Sequence, residues 1–227
     1  MAFYKSQRVD SSINEIRLLA TDWSGVISDD RQPAYEANMK VFEAHGLPRT
    51  TFEEWLSRTA PTVVEFFADN GLEGDPSTLF KEYSDAYGEF RSAGINPIAY
   101  PDAQRTLESI FNCGVQIVVI SSHPEEHLLK EAAEYGIADY VSAFVGNVKD
   151  KAGAMLNVCS ETCVEPGFTV YLGDTAYDIK AAKKADVHSV GIATGYHTWE
   201  RLISEDPDLC FNSLSGFRRA MSMLLRH

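Results

Sequence analysis

The feature that most constrains this chain is the alternation of helical and strand-like segments that sets in after Pro97. Asp102 to Asn112 carries apolar residues at helical spacing, and Val115 to Ile120 is a near-continuous β-branched run. A strand that is apolar on both sides must be covered on both sides, as parallel sheets are when helices pack on each face. The pattern then repeats. A helix over Glu125 to Tyr135 precedes a short strand near Val141 to Val145, and a helix over Lys151 to Cys159 precedes a strand over Phe168 to Leu172. A helix through Lys184, a strand over His188 to Ile192 and an amphipathic helix over Leu214 to Leu225 complete the series. Such alternation predicts an α/β fold: a parallel, doubly wound (Rossmann-like) sheet with right-handed crossovers.

One strand comes earlier. The apolar run Ile16 to Ala20 stops at Asp22, and Gly25 three residues later permits a turn that a side chain would obstruct. Ligands of open α/β sheets bind beyond the carboxyl ends of the strands, so Asp22 is the leading candidate for a catalytic carboxylate. No further strand intervenes before Pro97. Pro33 to His45 reads as a helix stopped by Gly46, and Thr50 or Thr51 caps a second through Arg58. Pro61 is expected to open a third that ends near Asn70-Gly71, and Pro76-Ser77 a fourth that runs to Ser92. Residues 32–96 are therefore expected to form an all-helical cap domain inserted into a core of residues 15–31 and 97–227. Met1 to Asn14, polar and without period, reads as a loose arm.

Composition narrows the partners. The net charge of −13 argues against nucleic acid and anionic membranes, which reward basic patches. No apolar run approaches the roughly 20 residues that span a bilayer, and the N-terminus lacks the apolar core of a signal peptide, so a cytoplasmic location is expected. Cys113, Cys159, Cys163 and Cys210 form no CxxC pair and read as small buried thiols rather than a zinc site or a disulfide framework. Either a monomer or a homodimer fits the sequence.

Parallel strands bring Asp22, Ser121 and Asp174 to one edge of the sheet. In Gly173-Asp174-Thr175-Ala176-Tyr177-Asp178 two carboxylates stand four residues apart at a loop-to-helix junction, where they face the same way. Crowded carboxylates repel unless a cation lies between them, and magnesium, with its oxygen ligands, suits such a site.

These residues carry a resemblance. Asp22-Trp23-Ser24-Gly25-Val26, Ser121 after its strand, a lysine near position 151, and Gly173-Asp174 with Asp178 resemble the four ordered motifs of the haloacid dehalogenase superfamily. The long separation of Asp22 from Ser121 leaves room for the helical cap that members of this type insert. The resemblance implies a magnesium-dependent hydrolase, a phosphatase for a small phosphorylated metabolite, in which Asp22 is the nucleophile that forms an aspartyl phosphate. It implies that Ser121 hydrogen-bonds the transferred group and that Lys151, or its rival Lys149, neutralises charge. Lys151 is preferred because it opens an apolar-periodic helix. Asp22, Asp174 and the Ser24 carbonyl would hold magnesium, with Asp178 in support directly or through water. Substrate contacts are expected from Ser122, His123 and the cap residue Arg58. The aromatic residues Trp23, Tyr35, Trp55, Phe66 and Phe67 either line a pocket or pack the cap against itself, and packing is the preferred reading.

Ser24 departs from the pattern. Most phosphatases of the superfamily have there a second aspartate that protonates the leaving oxygen, and a serine hydroxyl is too weak an acid for that task. General acid–base catalysis is worth about 10²–10⁴-fold. The departure leaves four readings: a hydrolase whose leaving group needs little protonation, a phosphonoacetaldehyde-hydrolase-like enzyme, a dehalogenase-like enzyme, and an impaired protein that binds a ligand or partner. The second requires a cap lysine, and residues 54–70 contain none.

Overall fold

The computed structural model describes residues 3–6, 13 and 15–224. The expectations placed on 1–2, 7–12, 14 and on Leu225 lie outside them. The described residues fall into two compact units, one drawn from Met1–Ser28 and Ala99–His227, the other Asp29–Ile98.

The first unit is built on a seven-stranded sheet. Its strands are β1 (Phe3–Lys5), β2 (Leu18–Thr21), β5 (Gln116–Ile120), β6 (Ala143–Val145), β7 (Thr169–Gly173), β8 (His188–Ile192) and β9 (Leu209–Phe211), while β3 (Ser28–Asp29) and β4 (Ile98–Ala99) pair separately where the chain leaves and re-enters this unit. The order is β1-β9-β8-β7-β2-β5-β6, parallel throughout except for the antiparallel pair β1–β9. Alternate strand residues serve opposite faces. Leu19, Ile117, Val119, Val170, Leu172 and Val190 pack with Leu107 of α5 (Ala103–Phe111), Leu128 of α6 (Glu125–Glu134) and Phe217 of α10 (Leu214–Leu224). Leu18, Ala20, Val118, Ile120 and Tyr171 pack instead with Met155 of α7 (Lys151–Thr162) and Ala182 of α8 (Ala176–Lys184). This two-sided cover is why the strands read as unbroken apolar runs.

The second unit is helical: α1 (Arg31–Ala44), α2 (Phe52–Ser57), α3 (Val63–Asp69) and α4 (Pro76–Ser92). Thr51 with Glu54 and Thr62 with Glu65 close capping boxes, and the Asp75 carboxylate accepts the Thr78 N–H with Pro76 in the first turn. Phe42, Phe66 and Phe67 form one aromatic cluster, and Tyr35, Phe52 and Trp55 another.

Five expectations are corrected. Part of the supposed loose arm is β1, which covers the edge of β9 and is tied down by the Ser6 N–H on the Asp208 carbonyl at 2.9 Å. An uncovered edge strand is a liability, and three residues suffice to pair it. Pro61 does not open α3; Thr62 does, because its hydroxyl meets the Glu65 N–H. α7 runs past Cys159 to Thr162 and stops where Cys163 turns left-handed, at φ 54°. Cys113 and Cys163 are exposed; Cys159 and Cys210 are buried, and all four are free thiols. Trp23 packs in the sheet-bearing unit, not in the helical one. The short α9 (Trp199–Ile203) and β9 had no expectation attached to them. Among the described residues no helix is long and apolar enough to cross a membrane.

Leu107 sits at the centre of the α5 face, 1 % exposed. Leu107→Ala is expected to cost about 2–5 kcal/mol through the cavity it leaves, read as a lowered urea midpoint at unchanged slope.

Candidate active site

β2 stands where the sheet's winding reverses: β5 and β6 extend to one side of it, β7, β8 and β9 to the other. Such a switch point opens a crevice at the carboxyl ends of the strands. Thr21 of β2 is level with Leu172 of β7 and Val119 of β5, so Asp22, Asp174 and Ser121 all emerge at that crevice.

Asp22 is buried and held from three sides. Its N–H donates to the Leu172 carbonyl at 2.9 Å, its Oδ1 accepts the Trp23 N–H at 2.7 Å, and its Oδ2 meets Lys151 Nζ at 2.5 Å. The same ammonium lies 2.6 Å from Asp178 Oδ1. Asp178 also caps its own helix: Oδ2 accepts the Thr175 N–H at 3.0 Å and the Thr175 hydroxyl at 2.5 Å. The Tyr171 hydroxyl, beneath the lysine, lies 3.3 Å from both Asp178 Oδ1 and the Ile120 carbonyl.

Asp174 is set differently. Its Oδ2 accepts the Tyr196 N–H at 2.6 Å and is walled by two glycines. A Cβ on Gly25, whose φ is +72°, would stand 2.1 Å from that oxygen, and one on Gly195 would stand 1.9 Å away. Only glycine fits at either place. Oδ1 is buried with no hydrogen-bond partner. Asp22, Asp174 and Asp178 each offer an oxygen within 4.8 Å of the others. Asp22 and Asp178 share one ammonium, and Asp174 keeps a buried oxygen with no donor. A metal cation would supply what this donor set lacks.

The electrostatics agree. Burial, with the charges of Asp178 and Asp22, holds the Asp174 pKa well above the usual carboxylate range. Burial also raises Asp22, opposed by Lys151. For Lys151, burial alone would favour the neutral amine, but Asp178 and Asp22 outweigh it and fix the ammonium form. Lys149, its rival, is exposed.

The other expected residues are more scattered. Ser121 is buried, with its N–H on the Val145 carbonyl at 3.0 Å and its Oγ accepting the His123 N–H at 3.4 Å. Ser24 and His123 are half-buried and Ser122 is exposed. Arg58 belongs to the helical unit, where it ends α2 in an exposed position. Sequence reasoning did not single out Tyr171, Thr194, Gly195 or His197. Thr194 donates its hydroxyl to the Gly25 carbonyl at 2.7 Å, and His197 Nδ1 accepts the Ala176 N–H at 2.9 Å. Gly195 left a trace in the sequence: it follows β8 as Gly25 follows β2.

Comparison with known proteins bears on this arrangement. Residues 21–192 match the family described as haloacid dehalogenase-like hydrolase. The chain belongs to that family. Among curated relatives of this haloacid dehalogenase-like hydrolase, the phosphoglycolate phosphatase of Psychrobacter arcticus is 23% identical over 88% of this chain and 93% of its own length. That of Vibrio vulnificus is 23% identical over 88% and 94%. Among solved structures, a haloacid dehalogenase-like family hydrolase from Streptococcus pneumoniae superposes with a TM-score of 0.81 at 17% identity, covering 91% of this chain and 98% of that one. A hydrolase from Pseudomonas syringae gives 0.75 at 13% identity, covering 92% and 98%.

Two predictions follow from the electrostatics. An acid whose folded pKa is raised favours the fold below its ordinary value of 3.8 and opposes it as pH rises through the raised one. Asp174→Asn is therefore expected to melt higher than the native chain at pH 8 without divalent cations, and to show no rise in Tm on adding a divalent cation where the native chain is expected to show one. His197 carries the opposite sign. Burial pulls its pKa down to about 4, so its neutral form supports the fold above pH 6.5, a contribution lost as pH falls towards 4. His197→Gln should flatten that acid limb in urea titrations at pH 7, 5.5 and 4.5.

Proposed function

We propose that this hydrolase is a magnesium-dependent phosphatase that passes the phosphoryl group of a small phosphorylated metabolite to Asp22 and then to water. The observation that carries this reading is the pairing of Asp22 with a fixed lysine beside an Asp174 oxygen that has no protein partner. An oxygen of Asp22 bonds to phosphorus as the bond to the leaving group breaks, giving an aspartyl phosphate. Water then attacks the same phosphorus, restoring the carboxylate and releasing inorganic phosphate. The Trp23 N–H and Lys151 hold the Asp22 carboxylate ready for this. Lys151 also balances charge on the phosphoryl oxygens, and the Ser121 hydroxyl supplies a further hydrogen bond. Asp22, Asp174 and the Ser24 carbonyl would hold the magnesium, with Asp178 in support. When bound it neutralises phosphoryl oxygens.

The helical unit serves as the cap in this reading, and Arg58 with Ser122 and His123 contacts the substrate. Phosphoglycolate, which the relatives' names point to, is a phosphorylated carboxylic acid, and a guanidinium suits its carboxylate. Ser24 lacks the acidity to protonate a leaving oxygen, so substrates with weakly basic leaving groups turn over fastest. Cleavage of a carbon–phosphorus bond through a cap-lysine imine is disfavoured, because residues 54–70 contain no lysine and Lys40 and Lys81 lie elsewhere in the helical unit. Four free thiols suit a reducing compartment such as the cytoplasm.

The test is phosphate release from acyl, aryl and alkyl phosphates, phosphoglycolate included, with and without magnesium. Release should require magnesium and fall to the blank in Asp22→Asn. Ser24→Asp should raise alkyl-phosphate turnover, by about 10²-fold if it restores a general acid. Metal-independent release, or release that survives Asp22→Asn, would overturn the reading.

A further inference from the structure

A buried carboxylate that this mechanism does not use holds the loop after Asp22 from beneath. Glu131 of α6 is 1 % exposed. Its Oε2 accepts the Trp23 indole N–H at 2.7 Å, and the Ser28 hydroxyl lies 3.4 Å from the same oxygen. Ser28 Oγ is in turn 2.9 Å from the Tyr135 hydroxyl. The Trp23 ring stacks on Tyr135, with centroids 5.8 Å apart and planes 5° from parallel, and meets Phe144 of β6 edge-on. The whole segment turns about this one residue. The Trp23 carbonyl accepts the N–H groups of Val26, Ile27 and Ser28 at 3.3, 2.8 and 3.0 Å, and its own N–H holds Asp22 Oδ1.

Contacts thus run without a break from Glu131 through the indole and backbone of Trp23 to the Asp22 carboxylate. The Glu131 side chain gives the indole N–H a short, directional acceptor on a helix rather than on a loop. We infer that Glu131 is a positioning residue for phosphoryl transfer, acting through Trp23 to aim the carboxylate of Asp22. The inference rests on the reading of Asp22 as nucleophile. Misplacing a reacting group by 1 Å costs about 10²-fold in rate, so a loosened Trp23 registers in kcat rather than in substrate affinity.

The experiment compares Glu131→Leu, Glu131→Gln, Trp23→Phe and the double variant Glu131→Leu/Trp23→Phe with the native chain, on the best substrate of the phosphate-release panel. It is run well below each variant's Tm, on protein shown to be folded by circular dichroism. Glu131→Leu is expected to lower kcat at least tenfold while KM moves less than threefold. Glu131→Gln, whose amide oxygen still accepts the indole N–H, should recover most of the loss. Trp23→Phe, which lacks that N–H, should match Glu131→Leu, and the double variant should fall no further, because both substitutions break one bond. A purely stabilising role would lower Tm and leave kcat per folded molecule unchanged, and that result, or additive losses in the double variant, overturns the inference. Should Glu131→Leu not fold, Trp23→Phe against Glu131→Gln decides the matter by the same kcat criterion. A native chain with no Asp22-dependent turnover overturns the parent reading and this one together. Native turnover equalled by the folded variants overturns this one alone.

Discussion

The crevice depends on one cation. Lys151 opens α7, and its ammonium lies between Asp22, at the end of β2, and Asp178, in the first turn of α8. Three separate elements meet at that nitrogen. Without it, two buried carboxylates would face each other in a medium that screens poorly. With it, each has a fixed partner and a fixed direction. Asp178 uses its second oxygen to cap its own helix, so the lysine is anchored to a rigid element rather than to a loop.

Asp174 follows another logic. The chain approaches its carboxylate so closely at Gly25 and Gly195 that no side chain is admitted, and one oxygen is spent on a backbone N–H. The other is left bare in the interior. A protein that only needed stability would pair that oxygen or exchange the residue for a neutral one. A bound cation would account for that cost, and the raised Asp174 pKa is the same cost expressed as proton affinity.

Much of this was legible beforehand. The strands β5, β7 and β8 were visible because burial on both faces leaves an unbroken apolar run, and Asp22 and Asp174 because each run stops at an acid. Asp178 was legible as a second carboxylate four residues after Asp174; that one of its oxygens meets Lys151 and the other caps its own helix was not. The three-residue strands β1 and β9 were not legible, since so few residues show no period and their pairing joins opposite ends of the chain. Gly195 and Tyr196 act through backbone, which a sequence does not display. That Trp23 packs inside the sheet-bearing unit rather than with the cap aromatics was not legible, because its partner Glu131 lies far along the chain and a buried glutamate looks like any other in a helix.

The pairing of Phe3 with Phe211 has a consequence for assembly. Made on a ribosome, β1 waits for its partner β9 until nearly all of the described chain between them has followed. So large a sequence separation makes this a contact that is slow to form by chance. Until then the outer edge of β9 is open to any extended strand, its own or a neighbour's. Placing β1 therefore also covers an edge at which newly made copies could pair.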